Sequence, residues 1–424
     1  MKSKTIKQIS KISVYLCSIL VLISPFHALI STFLLHQLGL NDFTIIKLAI
    51  QAWKETLIII LLAITGLLLI NKVIKWHKLA TITISFSLVA VLTTLLFTPE
   101  TNLITAFIWG IRTEILWLYL GLAIFLLAPL WSDKDRQQLT NHLIIGLILS
   151  LFIAFVLQIA GHELLVHLGF RNDWSTFYLD QAPAFCQKEA GTEFCRWQGG
   201  FAGPNRFAAY LLAFIPLLYI KRSWLILTLC IIALFATLSQ SAIIAFIVGA
   251  SIYTVIKFRL WQYLLTKIIL ACTVVIIGLL GIFFVYSGPP SGLDISSQEH
   301  IVKFGKGLGE FSENPLGAGL SATGPAAFKL GATSVPENWF LQVLINQGII
   351  GLFFYLAWWF YLLKSQIGKQ KNKPEIIFLT ICPALLILIQ SFFLHPFEDF
   401  GVTTTMFVII SLISLNNFSI DKAN

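Results

Sequence analysis

Residues 142–162 read HLIIGLILSLFIAFVLQIAGH, a stretch without a single lysine, arginine or carboxylate. A membrane-spanning α-helix needs about 20 consecutive, mainly apolar residues. The stretch therefore predicts a transmembrane helix, and the same pattern recurs along the chain.

Twelve such stretches can be counted in the 424 residues. The chain is 57% hydrophobic and only 12% charged, whereas soluble proteins carry about 25% charged residues. This composition excludes an ordinary soluble protein. We predict an all-α integral membrane protein, a single polytopic domain over residues 1–424, with a retained first span. The predicted spans are 12–35, 55–75, 78–97, 110–130, 142–162, 203–220, 223–238, 239–258, 264–287, 339–363, 375–394 and 401–418.

The formal net charge of +9 follows the predicted topology. With the N-terminus in the cytoplasm, every predicted inner connection is basic, as in Lys72, Lys75 and Lys78 after the second span. This positive-inside pattern predicts that both termini are cytoplasmic. The basic charge therefore needs no nucleic-acid partner.

Two long polar loops, 163–202 and 288–338, fall on the outer side in this topology. Cys186 and Cys195 share the first loop, where an outer compartment permits a disulfide; two free thiols are the alternative. In the second loop, helical spacing from Ser297 predicts an amphipathic helix with its cationic face free, ended before Pro315.

Arginines gather near these loops. The planar guanidinium binds two phosphate oxygens at once and keeps its charge, so Arg196, with Asn205 and Arg206 nearby, suits a pyrophosphate. Arg206 also fits a side chain that snorkels to the interface. Arg112 and Glu114 stand two apart and do not face each other on a helix, so each needs a partner on another helix. Arg112 is then either a ligand-binding residue or a structural clamp.

Glu337 opens the tenth span. An acid in a first helical turn is favoured by the helix dipole, and it is equally suited to act as a general base on a sugar hydroxyl. His300 fits the same role, or a wet helix face. His395 with Glu398 and Asp399 resembles a metal set, but pairing of these acids with the arginines is the more natural interpretation.

These residues resemble the O-antigen ligase and polymerase family of bacterial membrane proteins. The resemblance covers mainly residues 105–400, with the pieces in the family's order. The pieces are Trp109–Arg112, Arg196 through Asn205, Ser239–Ser241, Ser296–His300, Asn314–Gly319, Glu337–Gln342, Gln347–Gly351 and His395–Asp399.

The resemblance implies a GT-C-like inner-membrane glycosyltransferase with a large periplasmic loop. Such an enzyme moves a glycan from an undecaprenyl-diphosphate carrier to a glycan or lipid acceptor, with no cofactor, metal or nucleotide sugar. It implies a catalytic set and a substrate-binding set. The catalytic set is Glu337, Arg196 and His300; the binding set is Arg112, Asn205, Arg206, Lys303, Asn338 and His395.

Some positions depart from the family's ligases. These carry a histidine where this chain has Glu337, and an arginine where it has Gln240. These departures favour a polymerase, or another carrier-linked glycan transferase, over a ligase. The alternatives are a flippase for lipid-linked glycans, which predicts a polar path to the midplane and related halves, and a membrane scaffold.

Overall fold

A computed structural model of the chain describes residues 3–39, 44–171, 183–184, 186–187, 194–262, 295–331, 335–367 and 374–415. Within these ranges the chain is helical, apart from loops and one isolated β-bridge between Arg171 and Ala184. The predicted all-α class is confirmed.

The α-helices in these ranges are α1 Ser3–Ile23, α2 His27–Gln37, α3 Thr44–Ile70, α4 Lys78–Phe97, α5 Glu100–Gly110, α6 Leu116–Leu127, α7 Asp133–His167, α8 Pro204–Ile220, α9 Trp224–Ala236, α10 Gln240–Lys257, α11 Ile295–Glu313, α12 Trp339–Ile367, α13 Pro374–Gln390 and α14 Phe400–Leu415. A π-helical turn, Ile111–Ile115, joins α5 to α6. Short 3-10 turns lie at Ser24–Phe26, Ala128–Leu130, Leu260–Gln262, Pro325–Leu330 and Pro396–Glu398.

Seven helical stretches of the described residues are long and apolar enough to cross a membrane. Four predicted spans appear as shorter apolar helices: α8, α9, α13 and α14. The span predicted at 264–287 lies outside the described residues. A multi-pass membrane protein is therefore confirmed, with seven full-length candidate spans in the described ranges instead of twelve.

The centre of the bundle is formed by α6 and α14. Every residue of α14 from Phe400 to Ser414 is buried, and so are nearly all of α6. Trp117 of α6 stacks on Phe397 just before α14, with ring centroids 4.6 Å apart. A helix that is apolar on all sides belongs in such an interior. The loop His395–Asp399, which leads into α14, is thereby fixed against the core.

The bundle has two distinct ends. At one end, Arg136 at the start of α7 donates to the carbonyl oxygen of Leu415 at 3.1 Å. We call this the basic end, because Lys72, Lys78, Lys134, Arg136, Lys221, Lys257 and Lys364 lie there at helix ends. At the other end, Gln390 of α13 donates to the carbonyl oxygen of Asn205, which begins α8. We call this the site end.

The first long loop is linked by a disulfide between Cys186 and Cys195, which confirms the predicted pairing. The main-chain N–H of Arg196 donates to the carbonyl oxygen of Gln187 at 3.1 Å. The linked segment therefore holds Arg196 close to the start of α8.

Candidate functional site

A three-residue cluster joins α11 to the turn just before α12. Nδ1 of His300 lies 2.7 Å from Oε2 of Glu337, and Nζ of Lys303 lies 2.7 Å from Oε1 of the same carboxylate. Lys303 also contacts Glu299, one turn earlier on α11, at 3.3 Å. Two cationic or potentially cationic side chains of α11 thus converge on one carboxylate. The sequence had placed these residues in one site without pairing them.

Local backbone geometry brings the cluster together. Glu337 has a φ of +48°, so it lies in a turn just ahead of the helix instead of in its first turn. Asn338 caps α12 by accepting the N–H of Leu341 with Oδ1 at 3.0 Å. Gly307 lets α11 approach closely, since a Cβ there would lie 2.7 Å from the Leu341 side chain. Asn338, predicted to bind substrate, is therefore occupied as a helix cap.

The cationic face of α11 was predicted to be free, and this is wrong. His300 and Lys303 bind Glu337, and Lys306 lies 3.9 Å from Glu310. The predicted spacing of apolar and cationic residues on α11 was correct. Glu337, the carboxylate that pairs with Lys303, is 34 residues further along the chain, so the periodicity of the helix could not indicate this contact.

The cluster fixes the charge of Glu337. Burial alone would raise the pKa of this carboxyl, but hydrogen bonds and positive charge from His300 and Lys303 outweigh burial and lower its pKa to about 2. Glu337 is therefore ionised at any physiological pH. So acidic a carboxyl is a weak proton acceptor, because a good general base has a pKa near the working pH. In this arrangement Glu337 is better suited to orient His300 than to act as the base itself.

Next to this cluster lies the loop before α14. Burial lowers the pKa of His395 to about 4, and the charges of Glu337, Arg206 and His300 all act on this ring. Burial likewise raises the pKa of Glu398 to about 8, with the charge of Arg206 opposing it. Arg206 lies 3.9 Å from Asp399. Pairing of these acids with an arginine, as the sequence favoured, is confirmed for Asp399.

Arg196 is anchored at the start of α8. Its Nε donates to the carbonyl oxygen of Thr237 at 2.7 Å, and its Nη2 donates to Oδ1 of Asn205 at 2.8 Å. The predicted pair Arg196 and Asn205 is thus brought together. The turn that follows α9 supplies a main-chain acceptor, while the Ser239 and Ser241 hydroxyls lie 3.4 Å from each other.

Arg112 is paired in a separate group. Its Nε lies 2.6 Å from Oε1 of Glu55 on α3, and its guanidinium carbon lies 5.0 Å from the ring centroid of Trp109. Nζ of Lys329 lies 5.1 Å from the same ring. The expectation that Arg112 needs a partner on another helix is confirmed. Its contact with Glu55 gives it a clamping role, and Lys329, which the sequence did not single out, adds a second cation beside Trp109.

Glu114 binds a loop to α12, a role that its position two residues after Arg112 did not indicate. Its carboxylate is buried and accepts the N–H of Ser321 at 2.8 Å and Nδ2 of Asn346 at 3.0 Å, and it also accepts from Nε2 of Gln347. Asn346 in turn accepts the N–H of Thr323 at 3.0 Å. One carboxylate on the π-helical turn therefore fastens the loop 314–323 to α12.

Glycines make room for this buried loop. Gly317 has a φ of +105°, and a Cβ there would lie 2.7 Å from the carbonyl oxygen of Asn346. Gly348 departs from helical geometry within α12, with a φ of 69°. Gly317 of the predicted Asn314–Gly319 motif and Gly348 of α12 are thus required by close backbone packing.

The predicted site residues lie at the same end of the bundle but divide into groups. Glu337 binds α11, Arg206 and His395 lie in the group before α14, and Arg112 binds α3. Arg206 lies near two of these groups. Its charge acts on His395, in the loop before α14, and on Lys54, a buried residue of α3. Among the described residues, no three His, Cys, Asp or Glu side chains converge closely enough to hold a metal ion.

A comparison with known protein families gives one match. Residues 225–356 match the model of a family described as O-antigen ligase. The matched segment contains His300, Lys303, the buried loop 314–323 and Glu337. The predicted resemblance is confirmed, and the match supports a role in surface-polysaccharide assembly. A search of curated proteins found no match.

Proposed function

We propose that the protein is a membrane glycosyltransferase that transfers a glycan from undecaprenyl diphosphate to an acceptor hydroxyl, as a polymerase or a ligase. The observation that carries this proposal is the His300–Glu337 pair, which lies inside the segment that matches the O-antigen ligase family. No step of the proposed reaction uses a metal, a cofactor or a nucleotide sugar.

The proposed base is His300. With Nδ1 donating to Glu337, the ring presents Nε2 as the proton acceptor, and the carboxylate stabilises the imidazolium that forms. About a third of the His300 side chain is exposed, so an acceptor sugar can reach it. The deprotonated hydroxyl attacks the anomeric carbon, the bond to the diphosphate breaks, and an in-line attack inverts that carbon.

The leaving diphosphate needs positive charge. The cations proposed to bind it are Arg206 at the start of α8, Arg196 in the segment before α8, and Lys303 on α11, with Arg112 further out. Fixed cations aimed at a leaving anion stabilise the charge that develops in the transition state. Because Arg196 is held by Asn205 and Thr237, its guanidinium is oriented before substrate arrives.

In the proposed topology the site end faces the periplasm and both termini lie in the cytoplasm of a bacterium, with the protein in the inner membrane. Support comes from the cations gathered at the basic end. The twelve-span, GT-C-like architecture also remains part of the proposal. It requires the four shorter apolar helices to cross the bilayer, together with the stretch 264–287.

The proposed function is tested by comparing cells that carry the gene with cells that lack it. Extracted lipopolysaccharide and lipid-linked glycans are separated on a gel. Loss of the long-chain ladder with a single-repeat product retained means a polymerase, the outcome favoured by Glu337 and Gln240. Loss of all attached glycan, with long chains still on the carrier, means a ligase. An unchanged pattern contradicts the enzyme.

The same assay examines the phosphate-binding role. Arg196→Ala is expected to abolish the ladder while protein remains in the membrane. A normal chain length and amount with Arg196→Ala would contradict the assignment of this arginine.

A further inference from the structure

An apolar groove of about 200 Å³ lies far from the site end. It is formed by the last turns of α8, the middle of α10 and α13, and one residue of α9, and its lining includes Pro216, Ala250, Cys382 and Leu386. Along α10 it extends from Phe246 to Tyr253, which is about 10 Å at 1.5 Å per residue. The groove therefore has the shape of a slot for a hydrocarbon chain.

Hydrogen-bond donors gather where this groove reaches the basic end. The Tyr253 hydroxyl donates to the Tyr219 hydroxyl at 2.7 Å, and Nζ of Lys257 donates to the same oxygen at 3.3 Å. Within the described ranges, the Tyr219 hydroxyl proton has no acceptor of its own. An oxygen that accepts two hydrogen bonds, one from a cation, becomes a stronger donor. The mouth of the groove thus presents an ammonium group and a polarised O–H side by side.

The local charge is positive. Lys257 is exposed and lies 5.8 Å from the ring centroids of Tyr253 and Phe258. Within the part of the chain that the structure describes, no carboxylate lies within ion-pair distance of it. Glu375, at the start of α13, is the acid whose charge acts on Tyr253. Among the described residues at the neighbouring helix ends, this carboxylate is accompanied by Lys257 and by the basic residues that follow α8 and α10: Lys221, Arg222 and Arg259.

We propose that this groove binds an anionic phospholipid, with an acyl chain along the slot and the phosphate at Lys257 and Tyr219. Basic pockets between transmembrane helices, at the level of the lipid headgroups, bind anionic lipids. A zwitterionic lipid would gain less, because its own cation would face Lys257. This site lies at the opposite end from His300 and Glu337, and its existence does not depend on the proposed reaction.

The test measures lipids retained by the purified full-length protein. The protein is equilibrated with vesicles of equal parts phosphatidylglycerol and phosphatidylcholine and examined by native mass spectrometry. Wild type is expected to retain phosphatidylglycerol in preference to phosphatidylcholine. Lys257→Gln is expected to lose about fivefold in phosphatidylglycerol occupancy. Ala250→Phe, which fills an exposed position of the slot without changing charge, is expected to lose at least as much.

The matched control is Lys364→Gln. Lys364 also lies at the basic end, 5.6 Å from the Phe360 ring centroid, but outside the groove. Its substitution removes the same charge and should leave occupancy unchanged. Equal losses in the Lys257 and Lys364 variants, or full occupancy in Ala250→Phe, would overturn the proposal, since the attraction would then be to the basic surface alone. Equal retention of both lipids by wild type would overturn it too.

Discussion

Two glutamates of this protein have opposite surroundings. Glu114 is 2% exposed and accepts hydrogen bonds only from neutral donors: a main-chain N–H and two side-chain amides. Glu337 keeps 26% of its side chain exposed and binds a histidine and a lysine. The first carboxylate joins a loop to a helix in the interior, and the second lies at a surface that a substrate can reach.

The difference shows that the donors around a carboxylate distinguish a structural role from a catalytic one. Among the described residues, the donors to Glu114 come from the loop 314–323 and from α12, so removing the carboxylate would leave the buried Ser321 N–H and Gln347 amide without an acceptor. Donors to Glu337 are ionisable side chains that can change their protonation during a reaction. We therefore expect Glu114 to govern folding and Glu337 to govern turnover, and the following variants test that division.

The largest effect is expected for Glu114→Ala. It removes the carboxylate that accepts three buried hydrogen bonds, of which only the Asn346 donor keeps a second acceptor, the carbonyl oxygen of Thr323. The loss should lower the free energy of unfolding by about 4 kcal/mol. Thermal unfolding of the detergent-purified protein checks this. The control is Glu100→Ala, an exposed glutamate at the start of α5, which should change stability little. A Glu114→Ala protein as stable as wild type would show that the loop is held by other contacts.

Next in size is His300→Gln, expected to reduce turnover by about 10³-fold because the base is removed. Glu337→Gln should reduce it by about 10²-fold, since His300 remains but is no longer oriented by an anion. Both proteins should unfold within a few degrees of wild type. Glu313→Gln, an exposed glutamate at the end of α11, is the matched control and should stay active. Complete loss of folded protein in both variants would show that His300 and Glu337 are needed for folding, as Glu114 is, and would contradict their assignment to turnover.

A smaller effect is expected from Glu398, through pH. Its pKa is raised to about 8 from 4.5 by burial, so the folded protein keeps this proton after the unfolded chain has lost it. Its contribution to stability is present below about pH 4.5 and is lost as the pH rises to 8. The loss should be about 1 kcal/mol, since water reaches part of the side chain. Unfolding curves across this pH window check it, and Glu398→Gln should flatten the dependence. A slope unchanged by the substitution would assign it to another group.

The smallest effect is expected for Lys303→Gln. Glu337 keeps its contact with His300, so turnover should fall only about fivefold through weaker binding of the leaving diphosphate. The fall should shrink at high salt, because the lysine is partly exposed. A loss as large as that of His300→Gln would mean that the lysine, and not the histidine, is the central partner of Glu337.

Much of the fold could be predicted because the bilayer imposes strong rules on sequence. Eleven of the twelve predicted spans fall in the described residues, and each contains an apolar helix. The amphipathic helix predicted from Ser297 to the residues before Pro315 is α11, Ile295–Glu313. The predicted spans 223–238 and 375–394 extend past the ends of α9 and α13, at Ala236 and Gln390, because apolar composition continues into the connections.

The site was less predictable, because its contacts cross long stretches of chain. That Arg112 and Glu114 need different partners followed from their spacing, but Asn346 is 232 residues from Glu114. The π-helical turn at Ile111–Ile115 carries no composition signal. The glycines at 317, 319 and 348 were a usable signal for close backbone packing. They did not indicate which carboxylate the loop would meet.

In the proposed reaction, His300, oriented by Glu337, is the base of a glycan transfer from a lipid diphosphate. The most direct measurement follows release of undecaprenyl diphosphate from undecaprenyl-diphosphate-linked oligosaccharide by the protein in lipid nanodiscs, with an acceptor glycan present. Wild type is expected to release the carrier and lengthen or attach the glycan, and His300→Gln to do so about 10³-fold more slowly. Release at the same rate by both proteins would show that His300 is not the base.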